Sequence, residues 1–319
     1  MKKLVFRFAC FVSLFVALYL LSTIVIYYSP LQFLKTNIPN RKYKSAGFTA
    51  RRLAEADTTR QVDVLILGSS LAYRNYDTRV FDSVGYKVFT LGTSSQKPST
   101  TYILAKRYVN QMKPRLVILD VNPLLLLRDR PIDVVDILLN SSSSIYDLEL
   151  IWRETSVMSI NAFLLKSLGL THSEIIEKKE QRNTINGDEY IKGGYVFTDT
   201  TNITNTFGLN KELIAQKPTN LQMRSLSCLI DYLETQNINF LLVQSPFNSS
   251  VLDFLHLDRE KAIQMGENYF AHLGHYVDAN NKLDFPKTSF RDVLHLNGKG
   301  AEQFSEFLLP IVKEQIGGE

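Results

Sequence analysis

Cysteine is nearly missing. The 319 residues hold two, Cys10 and Cys228, far apart in the chain and too few for a disulfide framework or a cysteine-based metal site. Histidine is also scarce, and the one close pair, His272 and His275, has no HExxH or cysteine context, so neither a metal nor a cofactor is expected. Gly298-Lys299-Gly300 lacks the spacing of a phosphate loop. Acidic residues are absent from the first 54 positions, which carry nine bases (Lys2, Lys3, Arg7, Lys35, Arg41, Lys42, Lys44, Arg51, Arg52). The formal charge of +4 therefore belongs to the N-terminal end, and the remainder sets 27 of the 36 bases against all 32 acids. A body with that excess of acid repels phosphate backbones, which argues against a nucleic-acid partner.

What the chain does contain is a globular composition, 45% apolar and 21% charged, enough for a full core and unlike a disordered chain. It contains one long apolar run. Residues 8–28 form 21 uncharged positions, which as a helix span roughly 31 Å, about the thickness of a bilayer's hydrocarbon core. The run ends in Ile-Val-Ile-Tyr-Tyr without an Ala-x-Ala site, so an uncleaved anchor over residues 1–30 is expected in place of a signal peptide. Lys2, Lys3 and Arg7 mark one interface, and Tyr27 and Tyr28 the other. Bases flank both ends, so charge alone leaves the orientation open. Residues 31–60 read as a basic juxtamembrane stalk, either solvated or lying on anionic headgroups.

From residue 61 to 319 the chain alternates short β-rich runs with helical stretches, the pattern of a parallel sheet covered on both faces. Five strands are expected at 62–67, 87–91, 116–121, 239–243 and 275–278. Helices are expected near 101–112, 221–235, 259–273 and 300–315. Right-handed crossovers then give a doubly wound, flavodoxin-like α/β sheet of five mostly parallel strands. Between strands three and four lies an insert, residues 124–218, too long for an ordinary crossover and read as a cap over the sheet's edge. Within it, Trp152 and its aromatic neighbours are expected to pack inside the cap, and Cys228 beyond it to lie in the core.

Ligands of open α/β sheets bind where the carboxyl ends of the strands converge. Those ends deliver Gly68-Ser69-Ser70, Gly92-Thr93-Ser94, Asp120-Val121-Asn122 and the later Asp292-Val293-Leu294-His295. A serine hydroxyl needs an imidazole to take its proton, and the imidazole needs a carboxylate to hold its tautomer. Asp292 and His295, three apart in a tight turn, suit that pairing, with Ser70 as nucleophile at a helix start. Backbone N–H groups of Ser70 and Gly92 and the side-chain amide of Asn122 are the candidate oxyanion donors.

Taken together these blocks resemble the SGNH (GDSL-type) hydrolase superfamily. VLILGSS is similar to the first block, FTLGTSS to the second, VILDVNP to the third and FRDVLHLNGKGAEQF to the last. Ser69 stands where that family commonly has an acid, and Asp120 and Pro123 where it has Gly and Asp. The resemblance implies Ser70, His295 and Asp292 as a triad and Ser70, Gly92 and Asn122 as the oxyanion hole. An N-terminal anchor followed by Gly-Ser-Ser resembles the cell-surface O-acylation proteins of the teichoic acid D-alanylation and alginate O-acetylation type. That implies a single-pass protein of the cytoplasmic membrane with an extracytoplasmic catalytic domain, a glycan or acyl-ester substrate, and a membrane-bound O-acyltransferase as partner. A plain carbohydrate esterase or lipase, and a silent glycan-binding module, are the alternatives.

Overall fold

The computed structural model describes residues 1–39, 46–127, 130–170, 184–185, 187–201, 212 and 215–317. A long apolar helix, α1 (Lys2–Tyr28), and a shorter helix, α2 (Thr49–Thr58), precede the first strand, β1 (Val64–Gly68). Two five-residue helices, α3 (Ser70–Arg74) and α4 (Thr78–Asp82), lead to β2 (Val88–Gly92). Helix α5 (Pro98–Met112) returns the chain to β3 (Leu116–Asp120). The insert follows: helices α6 (Pro123–Leu126), α7 (Ile132–Asn140), α8 (Tyr146–Arg153) and α9 (Val157–Ser167), then strands β4 (Thr184–Ile185), β5 (Asp188–Ile191) and β6 (Tyr195–Thr198). The main sheet resumes through α10 (Asn220–Thr235), β7 (Asn239–Gln244), α11 (Ser249–Leu255), α12 (Arg259–Phe270) and β8 (Tyr276–Asp278), and α13 (Gly298–Ile316) closes the fold.

The five strands pair in the order β2-β1-β3-β7-β8, every pair parallel. This is the doubly wound α/β sheet expected, with each strand within about three residues of its sequence position. Alternation explains why the strands read as unbroken apolar runs. Leu65, Leu67, Phe89, Leu91, Val117 and Leu119 point to one face, where Ile103 and Tyr108 of α5 and Leu226 and Leu229 of α10 cover them. Val64, Ile66, Val88, Leu116, Ile118 and Val243 point to the other, under Phe304, Leu308 and Val312 of α13. Burying each such side chain is worth ~1.5–3 kcal/mol, so both faces must be apolar.

Two expectations about the flanking parts change. The expected stalk, 31–60, is part of the body from Ala46 onward; Arg41, Lys42 and Lys44 lie outside the described residues. Helix α2 is amphipathic: Leu53 and Ala56 enter the main core, Asp57 accepts from Arg107 and Tyr108 of α5 at 2.9 and 2.8 Å, and Arg52 is fully buried. A count of bases hid that apolar side.

The insert is bolted to the sheet as well as capping its edge. The turn between β5 and β6 closes the free edge of β2, because Thr90 N–H donates to Gly193 O at 2.7 Å. Gly193 and Gly194 take φ of +91° and +88°, and a Cβ on Gly194 would lie 2.3 Å from Thr90 O, so this turn requires glycine. The helical half joins α5 through a buried network. Lys97, just before α5, pairs with Glu154 at 2.7 Å and Asp133 at 3.5 Å, and Gln222 of α10 donates to Glu154 at 2.9 Å. The aromatic stretch 146–168 divides into α8 and α9 at Glu154, where that residue turns inward and Ser156 caps α9, accepting from Ser159 N–H at 3.0 Å. Trp152 does not pack within the cap: the break leaves it 85% exposed. Cys228 is half-buried on α10 instead of lying in the core. The charged segment 174–182 lies outside the described residues.

Candidate active site

The nucleophile position begins with two glycines in register. Gly68 ends β1 and pairs with Gly92 at the end of β2. A Cβ on Gly92 would stand 2.3 Å from Ser69 O, and one on Gly68 would stand 2.9 Å from Asp120 O. Neither position admits a side chain without moving backbone, and that close approach lets the chain turn sharply out of the sheet. Ser69 caps the new helix, its Oγ accepting from Leu71 N–H at 3.3 Å. Ser70 is then the first residue of α3 and partly exposed.

The other half of the site arrives 225 positions later. Ser70 Oγ and His295 Nε2 are 2.7 Å apart. His295 Nδ1 faces both oxygens of Asp292, at 2.9 and 3.0 Å. The loop holding them is tight: Phe290 and Leu296 form an antiparallel bridge, and Arg291 N–H donates to His295 O at 2.8 Å. Asp292 Oδ1 also accepts from the N–H groups of Leu294 and His295, each at 2.9 Å. Burial pushes the Asp292 carboxyl up, yet the adjacent imidazole and those two N–H donors outweigh it and hold the group below its ordinary value. An ionised Asp292 selects the tautomer with the ring proton on Nδ1, so Nε2 is left to accept from the Ser70 hydroxyl. Asp292 and His295 are buried at 2% and 5% exposure, whereas Ser70 is open to solvent on one side.

Among the oxyanion candidates, Gly92 is paired with Gly68 at the end of β1, two residues before Ser70. Asn122 stands two residues beyond Asp120, on the same sheet edge. Its Oδ1 caps α6 by accepting from Leu124 N–H at 2.9 Å, and no hydrogen bond among the described residues engages its Nδ2. With Gly68, Gln96, Asp120 and Leu125 it lines a cleft of about 30 Å³. Asp120 itself is buried, accepting from Tyr76 at 2.8 Å and from Ser245. Burial drives its carboxyl up to about 7 despite those two donors.

Three supports escaped the sequence reading. Asp188, in the insert's β5, receives Arg74 of α3 through two bonds of 2.7 and 3.3 Å and Arg291 at 2.7 Å. One carboxylate thus joins the helix that carries Ser70 to the residue before Asp292. Asn75, at the end of α3, accepts from Leu296 N–H at 2.9 Å, a second tie between the same halves. Arg52 of α2 reaches behind the second strand, donating to the carbonyls of Gly92, Gly194 and Gly47 at 3.0, 2.9 and 2.6 Å while lying 4.0 Å over the Tyr73 ring. Arg291 sits inside the last motif block and Arg74 four residues after the first, so two charges beside the motifs were a usable signal. Nothing in the insert's composition singles out Asp188.

The four blocks that resemble the SGNH superfamily therefore stand at one edge of the sheet, in the order the resemblance implies. No family model matches the chain, and no curated protein matches it. Among solved structures it is similar to a GDSL-like lipase from Bacteroides thetaiotaomicron, with 10% identity and a TM-score of 0.42 over 84% of this chain and 98% of that one. It is also similar to the acetyl xylan esterase AlAXEase, with 14% identity and a TM-score of 0.37 over 78% of this chain and 98% of that one. Similarity of this size assigns no activity, and the chemistry rests on the geometry described above.

Proposed function

We propose that the chain is a serine-dependent esterase or O-acyltransferase of the SGNH type, held at a membrane by α1 and acting on acyl groups of an extracytoplasmic polysaccharide. The observation that carries this reading is the 2.7 Å approach of Ser70 Oγ to His295 Nε2 with Asp292 behind the ring. Ser70 attacks the acyl carbonyl while its proton passes to Nε2. The tetrahedral oxyanion falls to the N–H groups of Ser70 and Gly92 and the amide of Asn122. On collapse the donor's C–O bond breaks and His295 returns the proton to the departing oxygen. An acceptor hydroxyl then attacks acyl-Ser70 and gives its proton to His295; the bond from the acyl carbon to Ser70 Oγ breaks, the acceptor keeps the acyl group, and His295 returns the proton to Oγ. A sugar hydroxyl as acceptor makes the reaction a transfer; water makes it a hydrolysis. Among the described residues α1 is the one helix long and apolar enough to cross a membrane, which supports the anchor.

The test is covalent. A fluorophosphonate probe labels the wild-type chain and leaves Ser70→Ala unlabelled; a wild-type chain that resists labelling from neutral to mildly alkaline pH overturns the nucleophile. An acetyl-ester assay with and without a glycan acceptor then separates transfer from hydrolysis.

A further inference from the structure

An acyl carbon bonded to Ser70 Oγ has three other directions to fill. Its oxygen faces the oxyanion donors, its leaving or entering oxygen faces His295 Nε2, and its remaining substituent needs a place of its own. The imidazole arrives from one face of the sheet: Phe290 and Leu296, which flank its loop, pack with Phe304 and Leu308 of α13. The cleft of about 30 Å³ that Gly68 and Asn122 help to line lies on the other face, under α5 and α10. Its half-buried lining residues, Pro98, Asn122 and Leu125, mark the mouth, and the buried Leu126, Leu226 and Phe270 form the floor.

Inside the mouth the lining offers a guest no polar side chain. Gln96 has both ends of its amide in use, Oε1 accepting from Thr93 Oγ1 and Nε2 donating to Thr101 Oγ1, each at 3.0 Å. Thr101 in turn donates to Lys97 O at 3.0 Å. Alternation along β3 puts the Asp120 side chain on the face of Ile118, where Tyr76 donates to it, so its carboxyl turns away from the cleft. Asn122 Nδ2, unengaged among the described residues, stands at the mouth. A single water takes roughly 10–15 Å³ of such space, so the cleft holds about two heavy atoms. An ammonium seated there would lose its water and find no acceptor.

We propose that this cleft is the acyl seat of the site and that it selects a short, uncharged acyl group, acetyl or propionyl. This rests on the reading of Ser70 as the acylated residue. The acyl oxygen stays with Asn122 at the mouth, and the methyl or ethyl group enters between Leu125 and the apolar floor. Leu125 then sets the length limit from α6, on the side of the sheet opposite the imidazole.

The test uses the full chain in detergent and p-nitrophenyl esters of acetate, propionate, butyrate, octanoate and alanine, each scored against its own hydrolysis without protein. Release of p-nitrophenol reports acylation of Ser70 whichever acceptor follows. The expected kcat/KM is highest for acetate and propionate and at least about tenfold lower for butyrate, the loss that a misfit methylene brings, with octanoate and alanine lower still. Leu125→Ala should raise butyrate relative to acetate about tenfold, and Leu125→Phe, which fills the cleft, should lower acetate about tenfold without shifting the unfolding midpoint. A wild-type chain that neither reacts with fluorophosphonate nor releases p-nitrophenol overturns the Ser70 reading, and the seat with it. A chain that is labelled at Ser70 yet acylates no faster from acetate than from octanoate or alanine overturns the seat and leaves the nucleophile standing. So does a preference that both Leu125 variants leave unchanged.

Discussion

Replacing Asp188 by asparagine tests whether one residue of the insert holds the two halves of the site together. The substitution keeps shape and removes the charge between Arg74 and Arg291. Arg74 has a side chain only 8% exposed, and Asp188 one 13% exposed, so the pair is largely withdrawn from water. Breaking a buried pair by deleting one partner costs ~3–5 kcal/mol. Asparagine still offers one acceptor, and Arg291, a quarter exposed, recovers solvation, which brings the expected loss to ~2 kcal/mol. Urea unfolding of the solubilised chain at neutral pH measures it. Since Ser70 rides on the helix of Arg74 and Asp292 follows Arg291, kcat should fall about tenfold with KM little changed, a misplacement of well under 1 Å being enough.

The pH dependence gives the sharper discrimination. Burial alone would raise the Asp188 carboxyl, but Arg74 and then Arg291 outweigh it and hold it below its ordinary value. The folded state thus releases this proton more readily than the unfolded chain. Its stabilisation is present above the unfolded carboxylate value, about 3.9, and is lost as pH falls through the folded value below that. The gap between wild type and variant should therefore be full at neutral pH and close as pH falls below the unfolded carboxylate value of about 3.9. A variant within ~0.5 kcal/mol of wild type at neutral pH, the range of an ordinary surface substitution, refutes the bridge. So does a gap that persists unchanged in acid.

Two further substitutions probe the floor and rear wall of the site. Asp120, pushed up to about 7, holds its proton to higher pH folded than unfolded, so its contribution is full below about pH 4 and declines as pH rises through about 7, by up to about 4 kcal/mol. Asp120→Asn should remove that slope in unfolding midpoints taken across this range, and an unchanged slope excludes Asp120 as its source. Arg52→Met leaves the carbonyls of Gly47, Gly92 and Gly194 without this donor and should cost ~3 kcal/mol or more; Arg52→Lys, lacking the planar fork, should recover only part of it, and a lysine variant with full wild-type stability would show that the fork does not matter.

Buried parallel strands cannot hide in a sequence, because both faces must be apolar; β1, β3 and β7 were legible for that reason. The hydrogen-bonded set of Ser70, His295 and Asp292, proposed as the triad, was legible because Ser70 follows a strand-ending glycine that close contact requires and Asp292 and His295 lie three apart in one turn. Its supports were not, since an ion pair such as Arg74–Asp188 spans 114 positions and leaves no periodic trace. Helix α2 was misread for a related reason. Ten residues are too few to show amphipathic periodicity against a run of bases, and the burial of Arg52 depends on carbonyls brought together from Gly47, Gly92 and the insert's Gly194. Trp152 failed in the opposite direction: an aromatic side chain reads as core unless the helix break beside it is seen.

These contacts form a continuous path from the membrane end to the site. Tyr27 of α1 holds the segment after α9, α9 packs on α7, and Asp136 of α7 accepts from Thr49 of α2 at 2.8 Å. Arg52, one turn further along α2, holds the carbonyl of Gly92 beside the nucleophile. Each step is a packed helix or a direct hydrogen bond, so on the proposed anchor the height of Ser70 above the bilayer would be set by folded structure and not by the length of a linker. The proposed acyl chemistry would then reach only groups presented at that height. Lengthening the connection between α1 and α2 would not extend that reach until the contacts of Tyr27 and Thr49 were also broken.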